Sequence, residues 1–149
     1  MRFICDNTLG ALARHLRMLG LDVQYCRGRE FAMSTGENPD NPVLFTRKTK
    51  AVSYKPVVRI RSNDIMGQIK EVEDFVRPYI DPAAFLNRCI RCNTVLETVS
   101  KDLVETRVPE YVLHTNEVFR LCPTCKKVYW HGTHAERMAE WRRTLHGKL

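Results

Sequence analysis

The sequence predicts an α/β domain, an open sheet with flanking helices, followed by a small zinc-ribbon domain and a C-terminal helix. Three observations carry this. Short apolar runs alternate with helix-periodic segments over residues 1–80. Cys89-Ile90-Arg91-Cys92 is answered by Cys122-Pro123-Thr124-Cys125. Near the end, Thr133 and Glu136 form a T-x-x-E box ahead of an apolar stripe of Met138, Trp141 and Leu145.

In chain order, Phe3-Ile4-Cys5 is a short strand that stops at Asp6-Asn7-Thr8, three residues that favour helix N-caps. Leu9, Leu12, Ala13, Leu16 and Leu19 recur at helical spacing, with Gly20 placed as the stop. Leu21 to Tyr25 alternates as a half-buried strand and completes a βαβ unit. A weak helical turn from Glu30 to Met33 precedes a loop imposed by Gly36 and Asn38-Pro39-Asp40-Asn41-Pro42. Val43-Leu44-Phe45 and Val57-Val58-Arg59-Ile60 are two further strands, the second leading into Ser62-Asn63-Asp64. That trio caps a helix whose Ile65, Ile69, Val72 and Val76 keep register up to Pro78. The domains expected are therefore 1–80 and 81–149. In the second, strands are expected around Val95 and Val99, over Val118 to Leu121, and over Val128 to Trp130.

Each C-x2-C places two thiolates on one turn, and two such turns complete the tetrahedron that structural zinc prefers. The 29 residues between them (93–121) hold the strand-like runs of a ribbon. Two disulfides would need an oxidising compartment, and a redox C-x-x-C is a single motif beside a βαβ unit rather than a matched pair. Zinc on Cys89, Cys92, Cys122 and Cys125 is the expectation. His131 and His134 lie close by, but four thiolates already fill the coordination sphere, so a turn or stacking role suits them better. Cys5 and Cys26 read as buried, apolar-like side chains.

The net charge of +7 biases the chain toward polyanions. Both parts share it: residues 1–80 carry 13 Lys+Arg against 9 Asp+Glu, and residues 81–149 carry 11 against 8. Basic residues interspersed through folded segments favour nucleic acid over a membrane surface. Arg137, Arg142 and Arg143 on the last helix are more often a solvated face than a nucleic-acid contact. No stretch is apolar enough to span a bilayer, and Asp6, Arg14 and Arg17 interrupt any leader-like run, so a cytoplasmic location is expected.

Functional residues of an open α/β sheet gather beyond the carboxyl ends of its strands. Asp6, Glu30, Thr46 to Lys48 and Ser62 to Asp64 all follow strands and share that edge, whereas Asp22 opens its strand and reads as structural. Clustered carboxylates without a Gly-rich phosphate loop point to Mg²⁺ or Mn²⁺ polarising a phosphodiester. Against this, Asp6 and Asp64 are also N-cap candidates, and a capping Asp is more often structural than catalytic.

Phe3-x-x-Asp6 with Leu9-Gly10-x-Leu12-Ala13-Arg14-x-Leu16-Arg17-x-Leu19-Gly20-x-Asp22 resembles the PIN-like ribonuclease family named for the C-terminal domain of the Mut-seven exonuclease. Thr46-Arg47, Gln68, Arg88-Cys89-x-x-Cys92-Asn93, Val108-Pro109, Cys122-x-x-Cys125 and Tyr129-Trp130-x-Gly132-x-His134 extend the resemblance along nearly the whole chain. It implies a PIN-like α/β domain joined to a zinc ribbon, with metal-dependent RNase activity centred on Asp6. Asp6, Asp64 and Glu30 are then the catalytic candidates, and Arg14, Arg17, Arg47 and Lys48 the RNA-binding candidates. One departure stands out: the family continues its Thr-Arg pair with Asp, and this chain has Lys48. Lys48 either holds a phosphate as a point charge, leaving Asp6, Asp64 and Glu30 for one ion, or marks a site that has lost cleavage and kept binding. Two functions compete: a metal-dependent ribonuclease, and a non-catalytic RNA- or ribosome-associated binding module; RNA is the expected partner in both, with ribosome or tRNA as the larger candidates.

Overall fold

The computed structural model describes residues 2–27, 42–50, 54 and 56–130 of the 149. Glu30, the helical turn and loop expected around it, His131, His134 and the C-terminal helix lie outside those residues.

Strands β1 (Arg2–Asp6), β2 (Asp22–Cys26), β3 (Val43–Thr46) and β4 (Val57–Arg59) form a parallel sheet in the order β2-β1-β3-β4. Helix α1 (Gly10–Met18) connects β1 to β2, and α2 (Ile65–Val76) follows β4. The period of two in the strands sorts the side chains. Phe3, Cys5, Val23, Val43 and Phe45 face the core shared with Leu12, Leu16, Ile69 and Val72 of the two helices. Ile4, Cys26, Leu44 and Tyr54 form a smaller cluster elsewhere. β1 is buried from Phe3 to Asp6 because both faces of a central parallel strand are covered. Phe3 stacks on Phe45 with ring centroids 5.6 Å apart. Burying each ring contributes about 1.5–3 kcal/mol.

The α/β core does not stop at residue 80: Ile80, Phe85 and Leu86 pack within it. Gly20 permits this. Its φ is +87°, and a Cβ there would sit 2.3 Å from the Ala84 carbonyl oxygen, so the returning chain crosses directly over the end of α1. Leu86 N–H then donates to Met18 O at 2.9 Å.

Beyond this, β5 (Glu97–Val99), β6 (Phe119–Leu121) and β7 (Val128–Tyr129) form an antiparallel ribbon in sequence order. Val95 lies outside β5, in an isolated bridge with Arg88. A short helix not anticipated from the sequence, α3 (Glu110–Thr115), fills the β5–β6 connection, with Val112 packing against Val104, Val108 and Phe119.

The first Cys turn docks on the β2 edge of the sheet through polar bonds. Arg17 Nε donates to Val23 O at 2.8 Å, and its Nη1 donates to Ile90 O at 3.0 Å and Arg91 O at 3.2 Å. Asn93 Oδ1 accepts from Val23 N at 3.1 Å while its Nδ2 donates to Asp22 Oδ1 at 2.7 Å. Arg88 bridges Gly20 O and Asn93 O. Arg120 reaches back to Phe85 O and Leu86 O. These bonds give the sheet edge partners for its exposed polar groups, as unpaired edges require.

Candidate functional site

The strand order reverses between β1 and β3, so the crevice of the sheet opens beyond their carboxyl ends. Asp6, the last residue of β1, sits there with 1% of its surface exposed. Its Oδ1 accepts from Thr8 N at 2.9 Å and from Thr8 Oγ1, and its Oδ2 accepts from Thr46 Oγ1 at the end of β3. Asp6 is therefore not the N-cap of α1. β1 continues through it to pair with Cys26, and the helix starts at Gly10 behind Leu9 with no side-chain cap. Among the described residues, no Lys, Arg or His forms an ion pair with this buried carboxylate.

A chain of hydrogen bonds continues along the edge. Thr8 Oγ1 accepts from Arg47 N at 3.2 Å, and the Arg47 guanidinium donates to Asn63 Oδ1. Asp64 follows. It is the N-cap of α2, its Oδ1 accepting from Gly67 N at 2.9 Å. Asp6 and Asp64 thus share the carboxyl edge, Asp6 buried at its floor and Asp64 exposed at its rim, joined through Thr8, Arg47 and Asn63. The loop bearing Asn63 and Asp64 is held from behind by α2. Glu71 accepts from Arg61 N at 2.8 Å, Ser62 N at 3.0 Å and Ser62 Oγ at 2.8 Å, and the buried Gln68 donates to Ser62 O at 3.1 Å. Burial pushes the Glu71 carboxyl up, but the bonds from Arg61 and Ser62 outweigh it and hold the group below its ordinary range. Lys48 is exposed, its N–H donating to Thr46 Oγ1 at 3.1 Å, and Arg59 grips the carbonyls of Lys48 and Lys50. Arg47 Nε is buried with no hydrogen-bond partner among the described residues.

Of the four basic candidates, Arg14 and Lys48 are exposed and Arg47 lies at the crevice. Arg17 is used differently from the expected RNA contact. It is 6% exposed and its Nε and Nη1 are spent on three carbonyl oxygens, because it rises from α1 toward the docked Cys turn. Asp22 lies at the opposite end of the sheet, bonded to Arg2 and Asn93.

The four cysteines converge. Their Sγ atoms all lie within 4.8 Å of one another, and Cys89 and Cys125 are 3.7 Å apart. A tetrahedral zinc with Zn–S of about 2.3 Å needs S–S of about 3.8 Å, so the donor set fits the ion. The two turns repeat each other. Cys92 N and Cys125 N point at the sulfurs of Cys89 and Cys122, each at 3.4 Å. Asn93 and Lys126 take φ of 64° and 65° to close their turns. Tyr129 Oη sits 3.1 Å from Cys89 Sγ and accepts from Ile90 N at 3.2 Å, fixing the sulfur from outside the ligand set. The thiols are unequal before metal binds. Burial pushes Cys92 up to about 12. At Cys122 burial also pushes up, but bonds from Cys125 and Thr124 outweigh it and bring the thiol to about 7, where the thiolate that binds metal forms readily. Among the described residues this is the only grouping of three or more Cys, His, Asp or Glu placed to hold a metal.

A family model described as the Mut7-C RNAse domain matches residues 1–141. The chain belongs to the Mut7-C RNAse domain family. Comparison with curated proteins and with solved structures finds no match. For this Mut7-C domain, membership supports a ribonuclease-type function with RNA as substrate, and both the parallel sheet and the cysteine cluster are those the sequence led one to expect. Sequence reasoning missed two residues that set the crevice, Thr8 and Glu71, and placed Asn63 at the strand-end edge without its bond to Arg47. Thr8 looked only like a cap residue, and Glu71 was not singled out. Its i−3 relation to Gln68 was the available sign that one face of α2 carries two polar groups toward the β4–α2 loop.

Proposed function

We propose that this Mut7-C domain is a metal-dependent ribonuclease that hydrolyses RNA phosphodiester bonds at the β1–β3 crevice. The observation that carries the reading is Asp6, a carboxylate buried at the topological switch point without a cationic partner among the described residues. Burying an anion is costly unless something compensates it, and such groups concentrate at functional sites. Carboxylate and hydroxyl oxygens are the hard donors Mg²⁺ or Mn²⁺ takes, and Asp6 and Thr46, with Asp64 at the rim, would supply them. Bound there, the cation would polarise the phosphodiester and activate water. The chain's own part is positional. Thr8 and Thr46 fix both oxygens of Asp6, Glu71 and Gln68 fix the loop of Asp64, and the unpartnered Arg47 Nε supplies an N–H that a phosphate oxygen would satisfy.

A second reading, RNA binding without cleavage, is favoured by one observation: Lys48 stands where an acid would add a ligand, while Asp64 gives one oxygen to its cap. The zinc ribbon aids RNA holding in both readings. The setting that goes with them is a reducing compartment, the cytoplasm, with ribosome or tRNA as the larger partner.

The test incubates zinc-loaded protein with mixed RNAs, with and without Mn²⁺. The ribonuclease reading expects Mn²⁺-dependent cleavage that is lost in Asp6→Asn with zinc content unchanged, and raised in Lys48→Asp. Cleavage that survives Asp6→Asn sinks the assignment to this crevice, and RNA binding without cleavage in every arm leaves the second reading.

A further inference from the structure

Where α1 and the end of β2 meet the two Cys turns, the chain encloses a cleft of about 700 Å³. Among the described residues five basic side chains line it, Arg14, Arg17, Arg27, Arg91 and Lys127, with Tyr25 on its wall and no acidic residue. We infer that this cleft is the seat for a single-stranded RNA segment, its phosphates held by Arg14, Arg27, Arg91 and Lys127. The inference rests on the ribonuclease or RNA-binding reading above for its substrate class, and adds where the strand lies.

The bland account of these charges is that they neutralise the zinc site. Four thiolates around Zn²⁺ carry a net charge of −2. That accounts for Arg17, whose guanidinium reaches the Ile90 and Arg91 carbonyls of the first Cys turn, and for one more cation. Three remain without a counter-charge among the described lining residues. Arg14, Arg27 and Arg91 are exposed, and among the described residues no hydrogen bond engages the guanidinium of any of them. Lys127 lies over the Tyr129 ring at 5.3 Å, which holds the ammonium at the rim without neutralising it.

Position and size say the rest. Tyr25 Oη approaches Asn7 O at 3.5 Å, so the cleft begins beside the residue that follows Asp6 and runs along α1 to Arg91 and Lys127 on the Cys turns. A strand whose scissile phosphate lay at the crevice would pass directly into it. The volume matches cavities that enclose a drug-sized ligand, on the order of one or two nucleotides, and is too small for a duplex. Arginines lining a groove beside an aromatic ring suit a single strand, whose phosphates track the cations and whose bases stack. The zinc ion then has a role in binding, because the turns it closes present Arg91 and Lys127.

The experiment measures binding of a fluorescent single-stranded oligouridylate to zinc-loaded protein across a salt series, without added Mg²⁺ or Mn²⁺. Arg14→Gln/Arg91→Gln is compared with Lys70→Gln/Arg107→Gln, which removes the same charge from exposed positions outside the cleft. Each lost phosphate contact lowers the slope of log K against log salt by about 0.7 for a single strand. The cleft variant should therefore lose about 1.4 in slope, which is about 25-fold in affinity at 0.1 M salt, and the control pair much less. Equal losses in the two variants, or duplex RNA binding as tightly as the single strand, overturn the inference. Cleavage abolished by Asp6→Asn while the cleft variant binds normally overturns it and leaves the ribonuclease reading standing. Cleft-dependent binding in a protein that never cleaves supports it while the ribonuclease reading falls.

Discussion

Arg17 separates two accounts of a basic residue in an RNA-handling protein, and the structure gives its removal a magnitude. Its guanidinium makes three bonds to main-chain carbonyls, at 2.8, 3.0 and 3.2 Å, two of them 73 and 74 residues away in the first Cys turn. A hydrogen bond from a charged donor is worth about 1.5–3 kcal/mol, and each buried carbonyl left alone costs about 1–3 kcal/mol. The three share one donor group and so are not additive. Arg17→Met keeps most of the buried stem and should cost about 3–5 kcal/mol, near the ceiling for single substitutions. Arg17→Lys should cost nearly as much, because a point-charge ammonium cannot span three acceptors as a guanidinium does. Chemical denaturation of zinc-loaded protein measures the loss, and metal analysis of the native sample shows whether the ion is retained. Arg14→Gln, one turn earlier on an exposed position, should stay within about 0.5 kcal/mol of the parent. If Arg17→Met unfolds like the parent while RNA affinity collapses, Arg17 is a ligand contact and the account of it as the pillar between sheet and Cys turn is wrong.

Three further outcomes are expected. Purified protein should carry one zinc per chain, and chelation should unfold the ribbon first while also lowering the stability of the α/β part, since Ile90 and Arg91 cease to hold Arg17; circular dichroism and metal analysis before and after chelation check both. Gly20→Ala should cost about 2 kcal/mol or more in denaturant unfolding, because the backbone is left-handed there and the new Cβ meets the Ala84 carbonyl. Burial raises the Asp22 carboxyl pKa, but its bonds from Asn93 and Arg2 lower it further, so its folded value lies below the unfolded one of about 3.9. Its contribution is complete above the unfolded value and is lost as pH falls through the folded one; the stability gap between parent and Asp22→Asn should therefore shrink as pH drops below about 4, and a gap constant from pH 7 to pH 3 would contradict it.

What was legible in the sequence was what local periodicity encodes. The alternation and helical spacing of residues 3–25 mark β1, α1 and β2 to within a residue or two, and the two C-x2-C turns mark the metal cluster, because each feature is complete within one element. Asp64 reads as a cap and is one. Asp6 carries the same local pattern, yet its side chain turns to Thr8 and Thr46, since β1 runs one residue further to pair with Cys26. That difference depends on a neighbouring strand, which no window of the chain contains. Arg17 fails for the same reason. It looks like a solvent-facing helix residue until the turn at residues 90–91 arrives above it, although Ala13, four residues earlier on the same face and small, left room for a long side chain to cross. Helix α3 escaped because six residues are too few for a periodic pattern to stand out.

On the proposed reading, holding and cutting depend on separate bonds, and this sets what Lys48 would change. The crevice is fixed by Thr8, Thr46, Asn63 and Glu71, all on the carboxyl edge, while the basic cleft is fixed by Arg17, Asn93 and the zinc turns along α1 and the β2 edge. A cation at position 48 would lower the affinity of the proposed crevice site for a divalent ion by adding like charge where an acid would be a ligand. The same cation leaves every bond of the cleft intact and adds to the positive field that gathers RNA. Losing an acid here would therefore weaken the proposed catalysis without weakening the proposed grip, whereas losing zinc would weaken the grip first. The order in which activity and binding disappear, when position 48 is varied on one side and zinc is withdrawn on the other, is fixed by which of these two sets of bonds each perturbation touches.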